Sequence, residues 1–203
     1  MKHLKEERTL VIIKPDGVQR SLIAEIVGRF EKVGLKLIGL KMVVPTEQQA
    51  EDHYYNIGGE EWLEAVGAKA RAAYEKKGLQ SPYETNRENG MAVLKANAKY
   101  LSAGPVVAMI WQGSHAIEVV RKMAGFTEPL TAPPGTIRGD YSLDSFAAAD
   151  TDSRSIRNLL HASGNSEEAE KEMVMWFKPE EILSYRLISD EILYDVNLDG
   201  IKE

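Results

Sequence analysis

His161, with Ser163 two residues on and Glu172 eleven on, is the group in this sequence whose types and spacing could do chemistry. A carboxylate bonded to one imidazole nitrogen fixes the tautomer and leaves the other nitrogen's lone pair free. That is the arrangement of a base or nucleophile oriented by a third group. Read alone, the histidine fits a structural role equally well, hydrogen-bonded where a strand meets a loop. Three cations could complete a site: Lys14 in KPDG, Arg121 in a helical stretch and Arg138 in TIRGD. Guanidinium forks match phosphate oxygens in pairs, and lysine acts as a point charge. Converging on the histidine they would hold a polyphosphate; singly, each reads as one of 25 Lys and Arg, mostly solvated. Thr127 would add a hydroxyl donor, and Asn158 an amide directed at a sugar or phosphate.

The elements that must position these side chains follow from hydrophobic patterning. TLVII (9–13) reads as a buried strand closed by the turn residues of KPDG. Apolar residues at 18, 22, 23, 26, 27, 30 and 33 form one helical stripe that stops at Gly34. LKLIGLKMVV (35–44) reads as a second strand, after which Thr46 caps a helix. Residues 60–100 are polar and helix-prone, broken at GLQSPYETNRENG. GPVVAMIWQG (104–113) is predicted as a third strand, and SHAIEVVRKMAG (114–125) as a helix. A long Pro- and Gly-rich loop, 127–140, carries Arg138; loops of such length in a compact domain are usually functional. Residues 142–157 read as partly helical, Ile156–His161 as a fourth strand with the histidine at its end, and 166–177 as a helix. This order predicts an α/β sandwich of the α+β kind, one sheet with helices packed on it.

Composition limits the function classes. The chain has 203 residues, 43% of them apolar and 28% charged, the profile of one globular domain. No apolar run approaches a membrane span, and MKHLKEERTL has no apolar signal core, so the cytoplasm is the expected compartment. With no cysteine, thiolate catalysis and zinc–thiolate sites are excluded. A net charge of −6 argues against a dedicated nucleic-acid surface. There is no P-loop and no kinase glycine loop. The stretch DVNLDGIKE imitates the first half of a calcium loop without the twelfth-position glutamate and is read as chance; no metal is assigned to protein ligands. His3 and His115 read as surface residues.

Taken together, ERTLVIIKPDGVQR, AGPVVAMIWQG, PGTIRGDY and RNLLHAS followed by EEAEKEMVMWF closely resemble the nucleoside diphosphate kinases, in that family's order and over most of the chain. The resemblance implies a ferredoxin-like fold with a four-stranded antiparallel sheet. It implies γ-phosphate transfer from a nucleoside triphosphate to a nucleoside diphosphate, with Mg²⁺ carried on the phosphates, by a ping-pong route through a phosphohistidine. His161 would be the nucleophile, oriented by Ser163 and Glu172. Lys14 would bind phosphate, Arg121 and Thr127 the terminal phosphates, and Arg138 the transferring group. Asn158 would contact the ribose and, with Lys14, its 3′-hydroxyl. Tyr54 would sit near the phosphates, and Trp62, eight residues on, would stack on the base with little selectivity. The resemblance also implies a homo-oligomer: hexamer, tetramer or dimer.

The chain departs from compact family members in an insert over about 67–99, a second over 142–155, and Gly164-Asn165 where an aspartate is usual after HAS. The inserts bear on the stacking residue and on the assembly, which in the family depends on a loop near Pro129. The competing reading is a catalytically silent nucleotide-binding or regulatory protein on the same fold. Degeneration at His161, Arg121 or Arg138 would favour it, and none is seen.

Overall fold

TLVII is buried at every position, and apolar from Leu10 on, because both sides of its strand are covered. In the computed structural model, which describes residues 5–76, 78–195, 197 and 199, this run forms β1 (Glu7–Ile13). Alternate residues face opposite ways. Leu10 and Ile12 enter one core with Ile38, Ala108 and Ile110, whereas Val11 and Ile13 enter a second with Val107, Met109 and Trp111. β2 (Lys36–Val43), β3 (Val106–Gly113) and β4 (Leu160–Ala162) complete a four-stranded sheet of order β2-β3-β1-β4. Every neighbouring pair is antiparallel. The expected sheet is therefore present, with β1 and β3 at its centre.

Helices cover both faces. α1 (Pro15–Gln19) and α2 (Ile23–Lys32) replace the single helix expected from the stripe that starts at Val18. Ser21 takes a left-handed φ of 57° between them, so the stripe continues across a turn that periodicity cannot register. Ile26 and Phe30 of α2, with Ala116 and Val120 of α5 (Ala116–Ala124), fill the Trp111 side. Burying a side chain the size of Ile26, Phe30 or Val120 is worth about 1.5–3 kcal/mol. The other side is covered by α3 (Glu47–Lys76), α4 (Asn86–Leu101) and α8 (Ser166–Trp176). Gly59 (φ 55°, ψ −144°) breaks α3 into two helical halves. Beyond this kink α3 and α4 touch through backbone. A Cβ on Gly67 would lie 1.7 Å from the Asn86 carbonyl oxygen, and one on Gly90 would lie 2.1 Å from that of Leu63.

Three expectations are corrected. The fourth strand covers only Leu160–Ala162, because Leu159 has φ 70° and cannot extend it upstream. His161 is thus the middle residue of β4, paired with Ile12, not a strand end. The long loop is also interrupted: a 3₁₀ turn (Pro129–Thr131) and α6 (Ile137–Tyr141) form within it, and Arg138 lies on α6. The Thr136 side chain caps this short helix by accepting from the Gly139 N–H, a signal easily hidden among prolines and glycines. The partly helical 142–157 resolves to α7 (Phe146–Thr151), and Asn165 caps α8 by accepting from Glu168 N–H. His115 is exposed, as expected, with Glu118 4.0 Å away. His3 and most of the DVNLDGIKE stretch lie outside the described residues.

Candidate active site

β4 lies beside β1 and presents His161 toward α8, whose Glu172 is buried. His161 Nε2 and Glu172 Oε1 are 2.7 Å apart, and Ser163 Oγ donates to Glu172 Oε2 at 2.6 Å. Ser163 is itself fixed to β1, accepting from Leu10 N–H at 3.1 Å. Both carboxylate oxygens are therefore engaged. The histidine side chain keeps 14% exposure against 2% for the glutamate, so the ring is held from behind and open in front.

A second chain of contacts begins where β1 ends. Lys14 Nζ donates to Asn158 Oδ1 at 2.8 Å, and Asn158 Nδ2 donates to the Thr127 carbonyl at 2.9 Å. Arg138 gives Nε–H to the Asn158 carbonyl (3.1 Å) and NH1 to that of Gly125 (2.8 Å). Its NH2 reaches the carbonyl of Leu160 (2.7 Å). Three of the five guanidinium N–H groups are thereby spent on backbone, binding α6, the end of α5 and the approach to β4 into one body. The guanidinium also lies near Arg121, which is exposed on α5. Lys14 is buried, and burial together with the Arg138 charge pulls its pKa down to about 7, only partly offset by Asp16. Burial and then Arg121 lower Arg138 to about 10. Two cations held below their ordinary range lack a matching anion, and an incoming phosphate would supply it.

The structure brings together His161, Ser163, Glu172, Lys14, Asn158 and Arg138. Thr127 joins through its backbone, its residue exposed. Tyr54 is buried and among the described residues its hydroxyl has no partner; burial, then the Glu172 charge, raises its pKa. Trp62 follows the Gly59 kink and packs half-buried on the core, its Cβ against Gly58. Among the described residues no hydrogen bond or ring contact joins Trp62 to the histidine network.

Three residues that sequence reasoning passed over also belong here. His53, in the HY pair, is fully buried with its ring centroid 4.5 Å from that of His161. Burial, followed by the charges of His161 and Lys14, holds its pKa well below the usual range. Tyr100 lies under Lys14, with Nζ 5.1 Å from the ring centroid. Asp16 accepts from Leu159 N–H at 3.2 Å. Among the described residues His53 Nε2 and Tyr54 Oη are buried without a hydrogen-bond partner, whereas the Tyr100 hydroxyl faces the Asp16 carboxylate. Unpaired buried polar atoms are uncommon in native cores, and beside the histidine they leave donors that a ligand could meet. The available signal was adjacency: Asp16 stands next but one to Lys14, and His53 beside Tyr54.

This chain matches the family model described as nucleoside diphosphate kinase over residues 7–68 and 60–182. It is 44% identical over 181 residues to the nucleoside diphosphate kinase of Pyrobaculum aerophilum, covering 87% of this chain and 98% of the relative. The crystal structure of an NDP kinase from that organism superposes with a TM-score of 0.85 at 43% identity, covering 88% of this chain and 100% of the other. A transition-state mimic of the Borrelia burgdorferi enzyme with bound vanadate and ADP gives 0.74 at 38% identity, covering 91% and 95%. A Halobacterium salinarum nucleoside diphosphate kinase in complex with CDP gives 0.67 at 32%, covering 94% and 99%. With a match running from Glu7 to Ile182 and the same fold in these relatives, the chain belongs to the nucleoside diphosphate kinase family of nucleotide phosphotransferases.

Proposed function

We infer that this protein moves the γ-phosphate of a nucleoside triphosphate to a nucleoside diphosphate by a ping-pong route through phosphorylated His161. The observation that carries this is the hydrogen bond from His161 Nε2 to Glu172 Oε1. An ionised carboxylate only accepts, so Nε2 carries the proton and the lone pair lies on Nδ1. No hydrogen bond engages Nδ1 among the described residues. In the first half-reaction Nδ1 attacks the γ-phosphorus, and the bond to the β–γ bridging oxygen breaks as the diphosphate leaves. In the second, a terminal oxygen of the acceptor diphosphate attacks the same phosphorus and the imidazole is released. The transition state is loose, with charge spread over equatorial oxygens, so catalysis rests on alignment and on preplaced positive charge.

Lys14, Arg121 and Arg138 supply that charge in this reading, with Tyr54 Oη and the Thr127 hydroxyl as neutral donors. Asn158, already bonded to Lys14, takes the ribose, and Trp62 offers an indole face to the base. Mg²⁺ enters as part of the substrate. Magnesium prefers oxygen ligands and is commonly shared between a carboxylate or two and the substrate phosphates. The buried group of His53, His161 and Glu172 is instead rich in nitrogen, which does not suit it. Vanadate with ADP in the Borrelia burgdorferi relative and CDP in the Halobacterium salinarum relative support nucleotides as the ligands.

We read 67–99 and 142–155 as inserts; the family match in two spans that overlap at 60–68 supports extra length in the first region. We read the protein as a homo-oligomer through β2. It is an edge strand, and Leu40, Met42 and Val44 are exposed along one of its faces. The segment after α8 reaches the strand through Leu183 N–H to the Ile38 carbonyl, Tyr185 Oη to that of Leu37 and Lys41 Nζ to Glu181, and leaves those three apolar side chains exposed. Light scattering checks the assembly. A cysteine-free composition supports a cytoplasmic setting. No helix among the described residues is long and apolar enough to cross a membrane. The central test is incubation with γ-labelled ATP. An acid-labile, base-stable label on the chain is expected; an acid-stable label, or none, refutes the intermediate.

A further inference from the structure

His53 has no role in the transfer just described, yet it is wholly buried and stands against the nucleophile with ring planes 86° apart. His53, His161 and Glu172 each bring one ligand atom within 4.8 Å of the others. Two imidazoles and a carboxylate are a donor set that zinc accepts, with the fourth position left to solvent or substrate. Such a site would be harmful here, because a metal would compete for the imidazole lone pair that must attack phosphorus.

What opposes it is one hydrogen bond. The Trp176 indole Nε1–H donates to His53 Nδ1 at 3.2 Å. Indole nitrogen only donates, so the Nδ1 lone pair is taken and the single proton of the neutral ring must sit on Nε2. Among the described residues Nε2 has no partner, so no acceptor draws the proton there; the indole has closed the other position. Neither nitrogen of His53 then has a lone pair to give a metal. Glu172 is similarly committed, to His161 and to Ser163.

We propose that Trp176 locks His53 in the Nε2–H tautomer, and so keeps a latent two-histidine, one-carboxylate transition-metal site closed beside the nucleophile. Removing the indole N–H frees Nδ1 to take the proton, and Nε2 becomes a ligand. This rests on the reading of His161 as nucleophile, but it is tested separately, by metal binding.

The test uses the full chain and Zn²⁺ alone, titrated in competition with a chromogenic chelator. Wild type, Trp176→Phe and the double variant Trp176→Phe/His53→Phe are compared. Trp176→Phe is expected to bind one Zn²⁺ per chain, about tenfold or more tighter than wild type. The double variant is expected to lose that gain. Label transfer from Mg·ATP to Trp176→Phe should fall as Zn²⁺ is added and recover with a zinc-selective chelator, while wild type is unaffected at the same concentration. Equal zinc affinity in wild type and Trp176→Phe overturns the proposal, as does tight binding that survives in the double variant. If the phenylalanine variant does not fold, 3-benzothienylalanine at 176 decides, since it keeps the indole shape and lacks only the N–H. If no variant is labelled even without zinc, the nucleophile assignment fails, while the zinc titration still judges the lock.

Discussion

The back and the front of the candidate site are built differently. At the back, His161, Ser163, Glu172, Asn158 and the Arg138 guanidinium are bonded to one another or to backbone before any nucleotide arrives. At the front, among the groups proposed to grip nucleotide, Arg121 and Thr127 are exposed, Trp62 is half-buried, and the Tyr54 hydroxyl lacks a partner among the described residues. Groups that act in the transition state must already be in place, because reorganisation at that moment raises the barrier. Groups that only grip substrate can be ordered by the substrate itself.

This contrast ranks the consequences of substitution. His161→Ala should lower turnover by about 10⁴-fold or more while far-ultraviolet circular dichroism stays unchanged. More than trace activity would remove His161 from the centre of the scheme. Glu172→Gln should lower kcat by roughly 10²- to 10⁴-fold with little change in KM, because the amide can present a donor toward Nε2 and favour the wrong tautomer. A KM effect of equal size would move Glu172 to the gripping side.

The two arginines divide the comparison most sharply. Arg138→Ala strips partners from the carbonyls of Gly125, Asn158 and Leu160, and should cost roughly 3 kcal/mol of stability besides turnover. Arg121→Ala should leave stability within about 0.5 kcal/mol and raise nucleotide KM roughly tenfold. Equal melting temperatures for the two variants would erase the distinction between back and front.

Lys14 belongs to the back and carries a pH signature. Its folded pKa of about 7 lies below the ordinary 10.5. Between those values the unfolded chain binds more protons, so stability of the nucleotide-free protein rises with pH over this window; below about 7 the cost of the charged, buried lysine is fully present. Chemical denaturation at pH 7 and pH 9 should show a gain of about 2 kcal/mol from this group, and Lys14→Met should flatten it. Nucleotide binding near pH 8 should take up a proton, seen by calorimetry in two buffers of different ionisation enthalpy. The smallest effect is expected at Trp62→Ala: about a fivefold rise in KM, similar for purine and pyrimidine diphosphates. A change confined to one base would give this residue a selective role.

Much of the chemistry was legible because the residues that carry it sit in short motifs. KPDG, TIRGD and HAS fall where a strand or turn ends, and the Glu172 spacing from His161 allows a helix to bring the carboxylate back. The buried strands were legible because two-sided burial leaves continuous apolar runs such as TLVII and VVAMIW. Local pattern misled where one irregular residue overrode it. Ser21 divides the first helical stripe, Leu159 cuts β4 to three residues, and the Thr136 cap turns loop into helix around Arg138.

What the sequence determined by itself was the set of reactive groups and the continuous apolar runs that build the centre of the sheet, since both depend on residues close together in the chain. Only the tertiary structure decided that Arg138 spends three donors on backbone and that Lys14 is buried beside Asn158. Only it decided that the Trp176 indole reaches His53 across 123 positions. Such contacts depend on which long-range partners share a small, dry volume. Burial and a neighbour's charge set the protonation of a side chain, and neither is written in its nearest neighbours along the chain.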